Sequence, residues 1–256
     1  MKKYILILAL CAIAAVSCKS NAQKQEEHTA ALKAELLARM QSKENPYNLN
    51  ILNTVEDYLE ITAKDTLNRL VNLEGYIPNV ILDIRYATDN NFTGTQVYTM
   101  PRAYLVRPAA RALKIVADSL AKLGLGIVIY DGYRPYSATV YFKEVYSDTT
   151  FVASPRTGSN HNRGSAVDLA LYNLADSTYC LMPSEFDTFS EKASWKCMDL
   201  PEEAIRNRQL LGDLMESVGF SKYEDEWWHY NFDYSNKEIY TLKNIFFEEL
   251  EVLADY

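Results

Sequence analysis

The chain has 256 residues, with 26 Lys or Arg against 34 Asp or Glu and a formal net charge of -8. The acidic excess is dispersed and no basic stripe occurs, which excludes the phosphate-backbone contacts of a nucleic-acid-binding protein. After the amino terminus, no further apolar stretch is long enough to span a membrane.

The first element is an apolar run, Tyr4 to Ala15, preceded by Lys2 and Lys3. It is too short to span a bilayer and has the make-up of an export signal, so residues 1–22 are set apart from the fold. Two cleavage sites compete. Cleavage before Cys18, in Ala15-Val16-Ser17-Cys18, resembles a lipobox and is preferred; a lipid there would anchor the protein without spanning the membrane. Cleavage after Ala22 is the other reading. Both place the protein in the periplasm or cell envelope and leave about 235 residues, enough for one well-buried domain. Cys180 and Cys197 could pair in an oxidising compartment or remain buried thiols, and their spacing decides neither.

Residues 23–75 read as a tether and helical lead-in, with Leu32, Leu36, Leu37 and Met40 as a helical patch. Pro108 opens a helix over 106–122 that buries Leu113, Val116, Ala117 and Leu120, and Gly124 stops it. Ile127 to Tyr130 is a short buried strand running into the turn-forming string Asp131-Gly132-Tyr133-Arg134-Pro135. A helix over 137–146, a strand from Ala166 to Leu171, a helix over 202–218 ended by Gly219, and an aromatic strand over 227–232 follow. In residues 234–256, Ile239, Leu242, Phe246, Leu250 and Leu253 form one stripe and predict a C-terminal helix packed on the domain. No repeated strand-helix-strand unit or glycine fingerprint occurs. The expected fold is therefore α+β, a single domain over 76–233 with a small central antiparallel sheet flanked by helices.

Histidine is scarce: there are three, and besides His28 they sit in the two most unusual strings. In Ser159-Asn160-His161-Asn162-Arg163-Gly164-Ser165-Ala166-Val167-Asp168, the glycine and its small neighbours let the backbone bend and bring His161 beside Asp168. The second string is Glu226-Trp227-Trp228-His229. Any one of these residues alone is more often a packed or solvated side chain. Together, two imidazoles and one carboxylate suit one Zn²⁺ per chain and leave a fourth position for water. Amide hydrolysis also needs a proton acceptor and an oxyanion donor, for which Glu226 and the planar fork of Arg134 are the candidates. Glu226 and His229 are three apart and point to opposite faces of an unbroken strand, so the chain must bend near Trp227 for both to serve one metal.

The pattern Ser-x-His-x-x-Gly-x-Ala-x-Asp followed by Glu-x-x-His resembles the D-alanyl-D-alanine dipeptidases, the VanX-type zinc metallopeptidases. The likeness extends in order through Asp83 to Thr88, Asn91 to Gly94, Tyr130 to Pro135, Met182 to Ser190 and Asn207 to Phe220, and covers roughly Tyr76 to Phe232. It implies zinc on His161, Asp168 and His229, Glu226 as catalytic base, Arg134 stabilising the transition state, and Asp131 supporting that turn. It also implies a pocket for the substrate ammonium at Asp187, Ser159 and Tyr86. For Asp187 there is an independent reason, because a dipeptidase must reward a charged amino terminus that a longer peptide lacks. The tether, the C-terminal stripe and the stretch from Thr188 to Asp199 depart from the family core. The expected activity is hydrolysis of D-Ala-D-Ala in the envelope, for wall turnover or D-alanine scavenging. A D,D-carboxypeptidase or other short-wall-peptide peptidase, and an inactive lipid-anchored module that binds wall peptides, are the alternatives. The expected partners are a small dipeptide and, through a lipid anchor or signal, the membrane.

Overall fold

The computed structural model describes residues 21–146 and 150–254. The expected signal up to Ser20, with its Cys18 anchor, lies outside the described residues. Two compact units divide the chain, Met1–Arg39 and Met40–Tyr256. The first is described as helix α1 (Asn21–Gln41), whose last residues open the second unit. No described helix is long and apolar enough to cross a membrane.

The second unit starts well ahead of residue 76, where the sequence placed the domain boundary, because two short strands of the lead-in pair into it. Strand β1 (Ile51–Leu52) runs parallel to β9 (Leu242–Lys243), and β2 (Leu70–Asn72) runs antiparallel to β4 (Tyr104–Val106). Between β1 and β2, helix α2 (Val55–Lys64) is capped by Thr54, whose side chain accepts from Asp57 N at 3.1 Å. Strands of two or three residues carry too little periodicity to be read from sequence.

The main sheet has the order β3 (Ile81–Leu82), β5 (Leu125–Asp131), β6 (Ala166–Asn173), β8 (Glu226–Phe232), β7 (Phe220–Tyr223). Edge strand β3 is parallel to β5, and the other pairings are antiparallel. β5 and β6 are buried along almost their whole length, which is why both read as near-continuous apolar runs. Helix α3 (Arg107–Ala121) packs on β5, and α6 (Glu202–Ser217) packs on β6 and β7 and against α3. On α3, Leu113, Val116, Ala117 and Leu120 recur at helical spacing and are buried. Each fully buried Leu or Val contributes roughly 1.5–3 kcal/mol, and truncating Leu113 to Ala would cost about 2–5 kcal/mol. Helix α4 (Tyr136–Val145) is buried from Tyr136 to Phe142.

The C-terminal segment departs from the single helix expected. A 3₁₀ turn over Tyr234–Ile239 contains a non-helical Asn236, β9 follows, and only Phe247–Ala254 is helical, as α7. Polar side chains explain the break. Lys243 is fully buried and its ammonium donates to Asn68 Oδ1, Arg163 O and Thr241 O at 3.2, 2.9 and 2.7 Å. Asn244, also buried, donates from its backbone to Leu52 O and accepts from Ser137 N at 2.9 Å. Buried polar groups with this many fixed partners outweigh a helical apolar period.

Candidate active site

Three short structures meet at one cavity of about 400 Å³. The first is a single turn of helix, α5 (Asn160–Arg163), enclosed by local chemistry on both sides. Ser159 Oγ accepts from His161 N at 3.2 Å while Asn162 Oδ1 accepts from Ser159 N at 2.7 Å, a reciprocal cap. Gly164 ends the turn at φ 74°, where a Cβ would also stand 2.6 Å from Leu70 Cδ2, so only glycine fits. This turn aims His161 into the cavity.

Sheet register supplies the next two groups. On β6 and β8, Asp168 lies directly opposite His229. Cross-strand pairs on one face are close enough to touch, and His229 Nδ1 is 2.9 Å from Asp168 Oδ1. His161 Nε2 is 3.4 Å from the same oxygen and 3.2 Å from His229 Nδ1. The expected bend near Trp227 takes the form of an irregular ladder. Lys222 pairs with Tyr230 but the next residue, Tyr223, pairs with Glu226, so one step on β7 matches four on β8. The slack lets Glu226 and His229 reach the same place, with Glu226 Oε2 3.8 Å from His229 Nδ1.

The turn after β5 provides the remaining polar groups. A Cβ on Gly132 would come within 2.8 Å of Tyr104 O, so this backbone approach needs glycine. Gly132 O then sits 2.7 Å from His161 Nδ1. Arg134 donates to Asp131 Oδ2 from Nε at 2.9 Å and Nη2 at 2.7 Å, and its guanidinium lies over the rings of Phe142 and Tyr86 at 4.8 and 5.4 Å. Tyr98 O–H and Gly132 N donate to Asp131 Oδ1 at 3.1 and 3.0 Å. Burial opposes the charge on Arg134, but Asp131 and its neighbours outweigh it and keep the guanidinium charged.

At the other end, Asp187 stands on a loop with φ 57°. Phe186 beside it is stacked on Tyr130 at 4.6 Å and edged by Trp228 at 5.5 Å, which pins the loop to the sheet. Tyr86 O–H donates to Asp187 Oδ2 at 2.8 Å. Burial pushes both Asp187 and Glu226 up to about 8. Asp168 goes the other way: burial would raise it, but the two imidazoles beside it hold its carboxyl well below the usual carboxylate range. Burial works against the charge on His229, and Asp168 and Glu226 raise its pKa regardless.

Every residue expected to bind metal, substrate or oxyanion lies at this place. Tyr86, Arg134, Ser159, His161, Asp168, Asp187, Glu226 and His229 line the cavity, and Asp131 stands behind Arg134. Ser159, expected among the substrate contacts, lines the cavity and also caps the His161 turn, its Oγ accepting from His161 N. Asn160, Asn231 and Tyr98, not expected from the sequence, also join the hydrogen bonds around these groups. Asn231 carried a signal, since it lies two residues beyond His229 and so on the same strand face.

A divalent cation fits this set. Gly132 O can only accept, so the His161 hydrogen belongs on Nδ1 and the Nε2 lone pair faces Asp168 Oδ1. Two acceptors 3.4 Å apart repel unless a proton or a cation lies between them. Together with His229 they form a His-Asp-His group able to hold a metal ion.

A family model described as D-Ala-D-Ala dipeptidase, of the M15 peptidases, matches residues 66–244, which include all of these groups. The D-alanyl-D-alanine dipeptidase of Escherichia coli (strain K12) is 36% identical over 166 residues, spanning 63% of this chain and 83% of that one. Those of Enterococcus faecalis and Enterococcus faecium are each 34% identical, over 64% and 62% of this chain and 91% and 88% of theirs. A solved LD-carboxypeptidase involved in peptidoglycan recognition overlaps 55% of this chain and 71% of its own at 20% identity and a TM-score of 0.33, too loose a likeness to bear on fold or function. The model's span, most of the chain with the whole cavity inside it, makes this protein a member of the D-alanyl-D-alanine dipeptidase family of peptidases.

Proposed function

We propose that the protein is a zinc-dependent dipeptidase of the bacterial cell envelope that hydrolyses D-Ala-D-Ala, for wall turnover or D-alanine scavenging. One observation carries the reading: His161 Nε2, Asp168 Oδ1 and His229 Nδ1 converge within 3.4 Å of one another with Glu226 beside them. His161, Asp168 and His229 would hold one zinc ion. When bound, it supplies Lewis acidity to the scissile carbonyl and to an attacking water.

The chain's own residues do the rest. Glu226 takes the proton from water and returns it to the leaving amine, a task suited to a carboxylate whose burial lifts it toward neutral pH. A cation among the ligands favours its ionised form. Arg134, immobilised by Asp131 and resting over the adjoining rings of Phe142 and Tyr86, presents the free part of its fork to the developing oxyanion. Asp187, desolvated and protonated by preference when alone, regains its charge opposite the substrate ammonium and so favours a free amino terminus.

The envelope assignment rests on Lys2, Lys3 and the apolar run to Ala15, with Cys18 as lipid anchor. Hydrolysis of free D-Ala-D-Ala measured with and without chelator tests the activity, and a muropeptide ending in the same pair tests its size limit. Chelator-insensitive turnover sinks the zinc reading. Faster turnover of the muropeptide makes the protein a D,D-carboxypeptidase, and no turnover of either makes it a binding module. Membrane fractionation of Cys18→Ala tests the anchor: release of the variant is expected, and unchanged partitioning would oppose it.

A further inference from the structure

The two imidazoles must choose opposite tautomers for their inward nitrogens to meet. His161 has its choice made by Gly132 O, 2.7 Å from Nδ1. His229 points its Nδ1 inward, 2.9 Å from Asp168 Oδ1, and that carboxylate would itself accept a hydrogen from Nδ1. With the hydrogen there, the ring would offer an N–H where a ligand needs a lone pair. Something must draw the hydrogen to the other side.

The group in position is Asn231. Its Oδ1 lies 3.0 Å from His229 Nε2, and the same oxygen accepts from Asn160 Nδ2 at 2.6 Å. Asn231 is 7% exposed and fixed by the sheet, opposite Ala166 on β6 and Ser221 on β7. Asn160 opens the helical turn that carries His161. One hydrogen-bonded chain thus runs from the turn bearing one imidazole to the strand bearing the other. Two donors meet the two lone pairs of one amide oxygen, which keeps that oxygen, not the amide nitrogen, turned toward the ring.

We propose that Asn231, oriented by Asn160, is a positioning residue that holds His229 in the Nε2–H form and leaves its Nδ1 free as a ligand atom. This rests on the reading of His161, Asp168 and His229 as metal ligands. Outer groups that orient a ligand imidazole are worth about 10–100-fold in metal affinity.

Two readouts test it, neither depending on turnover. The first is the nitrogen–hydrogen correlation spectrum of the histidine rings in metal-free protein at alkaline pH. Without a cation, Asp168 draws the hydrogen toward Nδ1 and Asn231 toward Nε2, so wild type should show His229 sharing its hydrogen between the two nitrogens, and Asn231→Leu should lower the Nε2 share. The second is zinc affinity by chelator competition. Asn231→Leu should lose about 10–100-fold, while Asn231→Asp, which keeps an acceptor, should match or exceed wild type. Asn160→Ala should shift both readouts in the same direction by less, and it serves if the Leu variant does not fold. Unchanged tautomer and affinity in the Leu variant, or in Asn160→Ala where it stands in, overturn the proposal and leave the ligand assignment intact. Failure of wild type to bind zinc would overturn the ligand assignment, and the ring spectra would still decide whether Asn231 sets the tautomer.

Discussion

The cavity wall that carries His161, Asp168, Glu226 and His229 is made of strands and one capped helical turn, whereas the wall that carries Tyr86 and Asp187 is made of a three-residue 3₁₀ turn, Arg85–Ala87, and a loop. On the first, positions follow from the ladder: Asp168 faces His229 because β6 and β8 pair in that register, and a slip of one residue would turn both away. On the second, Asp187 holds a left-handed backbone and depends on Phe186 gripping Tyr130 and Trp228. Groups proposed to break the bond stand on a ladder and those proposed to select the peptide stand off it, so the two sets can change independently. Substitutions on the strand wall should act on kcat and metal affinity, and those on the loop wall on KM.

The largest expected effect is on the strand wall. Glu226→Gln should lower kcat by ~10²- to 10⁴-fold while zinc content, measured by elemental analysis, stays at one per chain. Near-normal turnover would remove Glu226 from the chemistry. Arg134→Lys comes next: the ammonium still neutralises Asp131 but cannot supply two directed donors. A fall in kcat of about 10²-fold with little change in KM is expected from steady-state kinetics. An effect confined to KM would place Arg134 with the loop wall. On that wall, Asp187→Asn removes a charge-assisted contact worth about 1.5–3 kcal/mol, so KM for D-Ala-D-Ala should rise roughly ten- to hundredfold. Discrimination against the N-acetylated dipeptide should shrink with it. If kcat collapsed while KM held, the two walls would not be separable.

The strand wall was also the more legible in the sequence. The scarcity of histidine drew His161 and His229 together, Asp168 joined them mainly through the resemblance, and strand periodicity required a bend near Trp227 to bring Glu226 to His229. Helix α3 was readable from Pro108, its apolar stripe and Gly124, since it packs by the face its period defines. The loop wall was placed only through resemblance: nothing local to Asp187 announces that Tyr86, 101 residues earlier, will donate to it. The C-terminal stripe misled because burial of Lys243 and Asn244 among distant partners is a tertiary fact. Asn231 was missed because an asparagine within an aromatic strand looks like a solvated position until Asn160 and His229 are found on either side of it.

The smallest effect expected on the loop wall is on stability. Asp187 is pushed up to about 8 by burial, against about 3.9 in an unfolded chain. Between those values the folded protein keeps a proton that the unfolded chain has released. Stability therefore falls as pH rises through this window, and the full penalty applies above it. Asp187→Asn abolishes the titration but keeps an oxygen to accept from Tyr86 O–H. Metal-free Asp187→Asn should melt at nearly the wild-type temperature at low pH and above it at high pH, by about 2–4 °C for each kcal/mol recovered. Glu226, also near 8, retains its own share of the slope, so the dependence is reduced and not abolished. Thermal melts of both proteins across this pH range measure the difference. Parallel curves would mean that Asp187 ionises without penalty in the folded state, and the loop wall would then lack the desolvated carboxylate that the proposed preference for a free amino terminus requires.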